Sequence, residues 1–189
     1  MARTVQKTEN LFSLKVTLRG VRPPIWRRLM ILGSMTLAGL HEAIQAAMGW
    51  EGSHLHTFEI GGRYYGDPDS VDDVINEEQL TMNTVVKSGG RRFNYTYDFG
   101  DNWQHEIVIE GKKPPVDGRG YPACIAGKRN CPPEDCGGRW GYQELVAVLA
   151  DPEHQKYQNW IEMIGEGFDP EEFSAEAADA IVAARFGRE

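Results

Sequence analysis

The chain has 189 residues, of which 41% are hydrophobic and 25% charged, and a net charge of −8. This suffices for one domain, or one domain with a helical appendage, whose core needs no disulfides. No apolar run approaches the ~20 residues of a membrane span. Residues 1–10 lack the apolar stretch of a signal peptide, so a cytoplasmic location is expected. There, an odd count of three cysteines points to thiols or metal ligands rather than bridges.

The charge is unevenly spread. Residues 1–30 hold seven Lys and Arg against one Glu. Such asymmetry can mark a nucleic-acid patch. The preferred reading is a basic hairpin paired with an acidic body, because the molecule as a whole repels polyanions.

In chain order, Phe12, Leu14, Val16 and Leu18 alternate with polar residues, the period of a half-buried strand. A turn through Gly20 and Pro23-Pro24 leads to a second strand over 25–32. Thr36 is a candidate N-cap for a helix over Leu37–Met48, ended by Gly49. Leu37, Leu40, Ile44 and Ala47 give that helix one buried stripe. His54, His56, Phe58 and Ile60 then share a strand face, and Gly61-Gly62 turns into a strand over 63–65. Residues 67–73 are an acidic loop, and up to about Lys87 no period is legible.

Phe93, Tyr95, Tyr97 and Phe99 face the same way, and Trp103, His105, Ile107 and Ile109 answer them across a turn at 100–102. This hairpin is the strongest strand signal in the chain. Residues 111–120 read as a connector. Residues 121–138 hold all three cysteines among prolines and glycines that argue against a continuous helix or strand. Helices are expected over 142–150 and 154–164, at a start signalled by Asp169-Pro170-Glu171-Glu172, and over 175–186. The pattern predicts a β-grasp-like α+β fold, an antiparallel or mixed sheet with one covering helix and C-terminal helices beside it.

Several motifs support a family resemblance. Tyr95-Thr-Tyr-Asp-Phe-Gly-Asp-Asn-Trp-Gln-His105 and Cys131-Pro-Pro-Glu-Asp-Cys-Gly-Gly138 resemble the plasmid ORF-3-like family. So do Pro24-Ile-Trp-Arg27, Met48-Gly-Trp50, His54-Leu-His56 and Phe168-Asp-Pro-Glu-Glu-Phe173. The family takes its name from the third open reading frame of a bacterial root-inducing plasmid, and some members are passengers of insertion elements. The resemblance implies one ORF-3-like α+β domain over residues 1–189. Its sheet and helix would lie in 1–110, and its cysteine loop and helical part in 121–189. It also implies a link to mobile DNA. No catalytic role comes with it, because the family has no established biochemical activity.

Two sets of residues could carry chemistry. Cys124, Cys131 and Cys136 could hold zinc with His105 as fourth ligand, or with His154, Glu134 or Asp135. The spacing lacks the paired knuckles of common zinc sites, and small buried side chains in a tight turn are the alternative. His54 and His56, two apart on a strand, could form a catalytic metal site with His105, Asp98 or Asp101. Otherwise they pack beside Phe58. Asp98-Phe99-Gly100 lacks every other kinase element and is expected to fix its own turn.

With no nucleophile–base motif or cofactor loop, the first expectation is a small binding or interaction module with a zinc-clamped cysteine loop. A protein or small-molecule partner is preferred over nucleic acid, with no membrane role. The rivals are a metal-dependent hydrolase or nuclease, and a DNA-associated accessory protein of mobile elements. Whether the chain is an enzyme stays open.

Overall fold

Alternation in the N-terminal hairpin gives the sheet one face packed on the main core and another that carries charges beside a small apolar cluster of Leu11, Met30 and Ala123. The computed structural model describes residues 9–116 and 119–188. The readings on residues 1–8 and on 117–118, parts of the basic segment and the connector, lie outside them. Strand β1 (Leu11–Leu18) pairs antiparallel with β2 (Trp26–Leu32) and with β7 (Trp103–Lys113). Leu14, Val16 and Leu18 point into the core. The intervening positions share the other face with Ser13 and Arg28, both of which donate to Glu110.

The sheet continues through β3 (His56–Ile60), β4 (Arg63–Gly66), β5 (Ile75–Asn76), β6 (Arg92–Tyr97) and β8 (Ala123–Lys128). Its order is β5-β4-β3-β6-β7-β1-β2-β8, and only the β4–β5 pairing is parallel. The fold is therefore α+β around one mixed eight-stranded sheet.

Helix α1 (Leu37–Met48) begins where the Thr36 hydroxyl accepts the Gly39 N–H at 3.2 Å and ends at Gly49 with φ 88°. Leu37, Leu40, Ala43, Ile44 and Ala47 are buried in the main core. A short α2 (Met82–Lys87) follows a 3₁₀ turn at Glu77–Gln79. Helices α3 (Gly138–Leu149), α4 (Tyr157–Ile164) and α5 (Ala175–Arg185) complete the chain.

Three local expectations are corrected. Cys124 lies on β8, so the first part of the cysteine segment is a strand bonded to β2, despite its flanking prolines. Asp169-Pro170 opens a turn, in which the Asp169 carboxylate accepts the Glu171 N–H at 2.8 Å, and the next helix is capped by Ser174 instead. That turn leads to Phe173, whose ring lies 4.3 Å from the Arg27 guanidinium. β7 runs to Lys113, into the segment expected to be a connector.

β8 also joins residues 123–128 to the sheet, and α5 lies against it. The Cys124 N–H donates to Asp179 of α5 at 2.9 Å.

Candidate functional site

The candidate site side chains gather where α1, β3, β6 and the segment after β8 meet. His41 and Gln45, one turn apart on α1, both reach the Tyr95 hydroxyl of β6, at 2.7 and 2.8 Å. Gln45 donates to that oxygen, leaving the Tyr95 O–H free to donate to His41 Nδ1. His56 of β3 stacks on His41 with ring centroids 3.5 Å apart and planes within 5°. The His56 Nε2–H donates to Glu77 of the 3₁₀ turn at 2.9 Å. Burial, aided by the charges of His56 and Arg185, lowers the His41 imidazole to about 3, so it is neutral at physiological pH.

The paired rings line two adjoining hollows. One, of about 540 Å³, is bordered by Glu42, Asp67, Glu77 and Glu78. The other, of about 260 Å³, adds Ser53, His54 and Ser70. Together they form a groove with histidines on its wall and carboxylates around its rim.

The segment 131–136 is tied to residues 50–54 and to β6. Trp50 Nε1–H donates to the Pro132 carbonyl at 2.9 Å, and the Glu51 N–H donates to Glu134 at 3.0 Å. The Tyr97 hydroxyl donates to the other Glu134 oxygen. Burial and the Glu134 charge raise the Tyr97 phenol well above its usual value, so it keeps that proton. Clamped in this way, the segment brings the Asp135 carboxylate within 3.3 Å of His54 Nε2. Asp98 Oδ2 stands 3.9 Å from the same nitrogen.

The expected site residues therefore divide. His54 and Asp98 come together, but with Asp135; His56 turns to Glu77 and His41. Among the described residues, His54, Asp98 and Asp135 are the one group of three ligating side chains whose atoms lie within 4.8 Å of one another. Cys124, Cys131, Cys136 and His105 form no such group. Cys124 Sγ lies 3.8 Å from the Ala126 carbonyl oxygen, and Cys131 Sγ lies 3.0 Å from Met48 Sδ. Burial pushes the thiols of Cys124 and Cys131 up to about 11 and Cys136 to about 12, the last helped by the Asp101 charge. His105 is sealed between Trp50 and Tyr95, and among the described residues neither ring nitrogen has a well-aligned hydrogen-bond partner. His154 accepts the Lys156 N–H in the turn before α4.

Three arginines of the basic hairpin are internally engaged. Arg19 pairs with Glu106 at 3.0 Å and Arg28 with Glu110 at 2.6 Å, while Arg27 is buried.

Sequence reasoning missed His41, Glu77 and Tyr95. His41 and Gln45 stand four apart beside the apolar stripe of α1, a signal that was available. Glu77 lies in the stretch without a legible period.

The plasmid pRiA4b ORF-3-like family model matches residues 10–177. The chain belongs to that family. A family relative from Sinorhizobium fredii (strain NBRC 101917 / NGR234), uncharacterized protein y4hQ, is 42% identical over 155 residues, covering 80% of this chain and 79% of the relative. The crystal structure of MM3350, a protein of unknown function from Methanosarcina mazei Go1, superposes with a TM-score of 0.83 at 40% identity. The match spans 89% of this chain and 97% of that one. For this ORF-3-like protein, site roles must therefore come from the geometry above.

Proposed function

We propose that this ORF-3-like protein is a small binding module whose ligand is an organic cation, a guanidinium or amine, held in the histidine groove. The observation that carries this is the stacked His41–His56 wall facing a hollow rimmed by Glu42, Asp67, Glu77 and Glu78. A flat ring pair suits a planar guanidinium, and carboxylates suit its forked donors. The net charge of −8 adds long-range attraction for cations and repels nucleic acid.

Calorimetric titration with agmatine, spermidine and matched anions tests the reading. Cation binding weakened by Glu42→Gln and Glu78→Gln is expected. Equal affinity for the anions, or no cation binding, would sink it.

A second reading, metal-dependent hydrolysis, is favoured by His54, Asp98 and Asp135 standing together, with His54 also lining the smaller hollow. It requires turnover of an ester or phosphoester that His54→Ala abolishes.

A further inference from the structure

The geometry points to a divalent transition-metal site formed by His54, Asp98 and Asp135, separate from the cysteines and independent of the cation-binding reading. Each ligand comes from a different element, and each is held by contacts that leave its ligating atom free. Asp98 opens the β6–β7 turn with φ 55°, and its Oδ1 accepts the N–H groups of Gly100 at 2.9 Å and Asp101 at 3.2 Å. Its Oδ2 is left facing His54. The carboxylate is thus aimed by its own backbone, and the residue is only 7% exposed.

His54 lies just before β3 with its ring edge-on to Tyr97, centroids 5.8 Å apart. Its Nε2 is shielded from solvent and makes no hydrogen bond among the described residues. Asp135 is placed between two fixed neighbours, Glu134 hydrogen-bonded to Tyr97 and Glu51, and Cys136 buried in the core. It is the exposed member of the trio.

The separations suit an ion. Nitrogen and oxygen ligands at about 2.0–2.2 Å from one metal stand about 3–4 Å from each other. His54 Nε2 lies 3.3 Å from Asp135 and 3.9 Å from Asp98. Two carboxylates and a neutral imidazole leave a local charge that a dication balances. A donor set of one nitrogen and two oxygens favours Zn²⁺, Mn²⁺ or Fe²⁺ over Ca²⁺ and over thiophilic Cu⁺. Three protein ligands would leave coordination positions for water or a ligand atom, with the exposed Asp135 on the solvent side.

The test uses full-length protein stripped with a chelator and titrated with Zn²⁺ and Mn²⁺ by calorimetry, with Mn²⁺ broadening of the His54 ring protons followed by NMR. One equivalent is expected, with selective broadening at His54. His54→Ala and the exposed Asp135→Asn should each weaken binding at least about tenfold, while circular dichroism stays unchanged. Cys131→Ser should leave affinity unaltered. Uptake lost in Cys131→Ser but kept in His54→Ala would overturn the assignment. So would the absence of uptake at millimolar metal, whatever the outcome with organic cations.

Discussion

Arg27 Nη2 lies 3.3 Å from the Cys131 sulfur, deep in the interior and, among the described residues, without a carboxylate partner. Carbonyls satisfy the cation instead: Nε donates to Ala47 at 2.8 Å, and Nη1 to Trp26 at 2.9 Å and Lys128 at 3.2 Å. Phe173 covers the guanidinium plane. One side chain thus ties together β2, the end of α1, the end of β8 and the turn before α5. Truncation strands several buried acceptors, and Arg27→Ala is expected to cost about 3 kcal/mol or more in urea unfolding. Arg27→Lys, which lacks the planar fork, should recover only part of that loss.

Acid should weaken the fold well before its carboxylates titrate. Burial lowers His41 to about 3 and His105 to about 4 in the folded state. Both return to about 6.5 on unfolding, so the unfolded chain binds more protons below that pH. Stability is therefore full above about pH 7 and falls as pH drops through 6 toward 4. The two residues together account for about 3–4 kcal/mol between about pH 7 and about pH 5. His105→Phe should remove close to half of that slope. Because it also removes two buried ring nitrogens that have no well-aligned partner among the described residues, it should not lower stability at neutral pH. A slope equal to that of the parent protein would refute this account.

The thiols should be slow nucleophiles. Held up to about 11–12 by burial, they carry almost no thiolate near neutrality. Reaction with a chromogenic disulfide at mildly alkaline pH is expected to lag a free thiol by more than about a hundredfold. All three cysteines should react at once in denaturant. Fast labelling of Cys131 in the native protein would contradict the packing described for it.

At Gly141 a side chain has no room. A Cβ would fall 1.7 Å from the Cys136 carbonyl oxygen, which is backbone and cannot swing aside. Gly141→Ala is expected to unseat either the first turn of α3 or the 131–136 segment. Loss of about 3 kcal/mol or more follows, together with new proteolytic cleavage in that segment. Gly137→Ala is a poor control because φ is 86° there, whereas Gly111, open to solvent, should tolerate alanine.

Period-two and period-3.6 patterns made the central hairpins and α1 legible, because long elements repeat their signal. α1 begins and ends at the residues its caps dictated. β5, of two residues, and α2, of six, are too short to repeat anything. The prolines flanking Cys124 point to a loop, yet an edge position tolerates such neighbours. In the site, the turn role of Asp98 was visible in its glycine neighbour. The meeting of His54 with Asp135 was not, since it depends on Glu134 bonding to Tyr97 and Glu51 across the fold. Spacing along a chain cannot report such a long-range tether.

The sheet ends in β5, only two residues long, on one side. On the other it ends in β8, where α5 lies alongside and takes up the Cys124 amide. Neither margin offers a long row of free backbone groups on which a foreign strand could be templated. Association by strand addition, whether with a peptide or with a second copy, is structurally disfavoured.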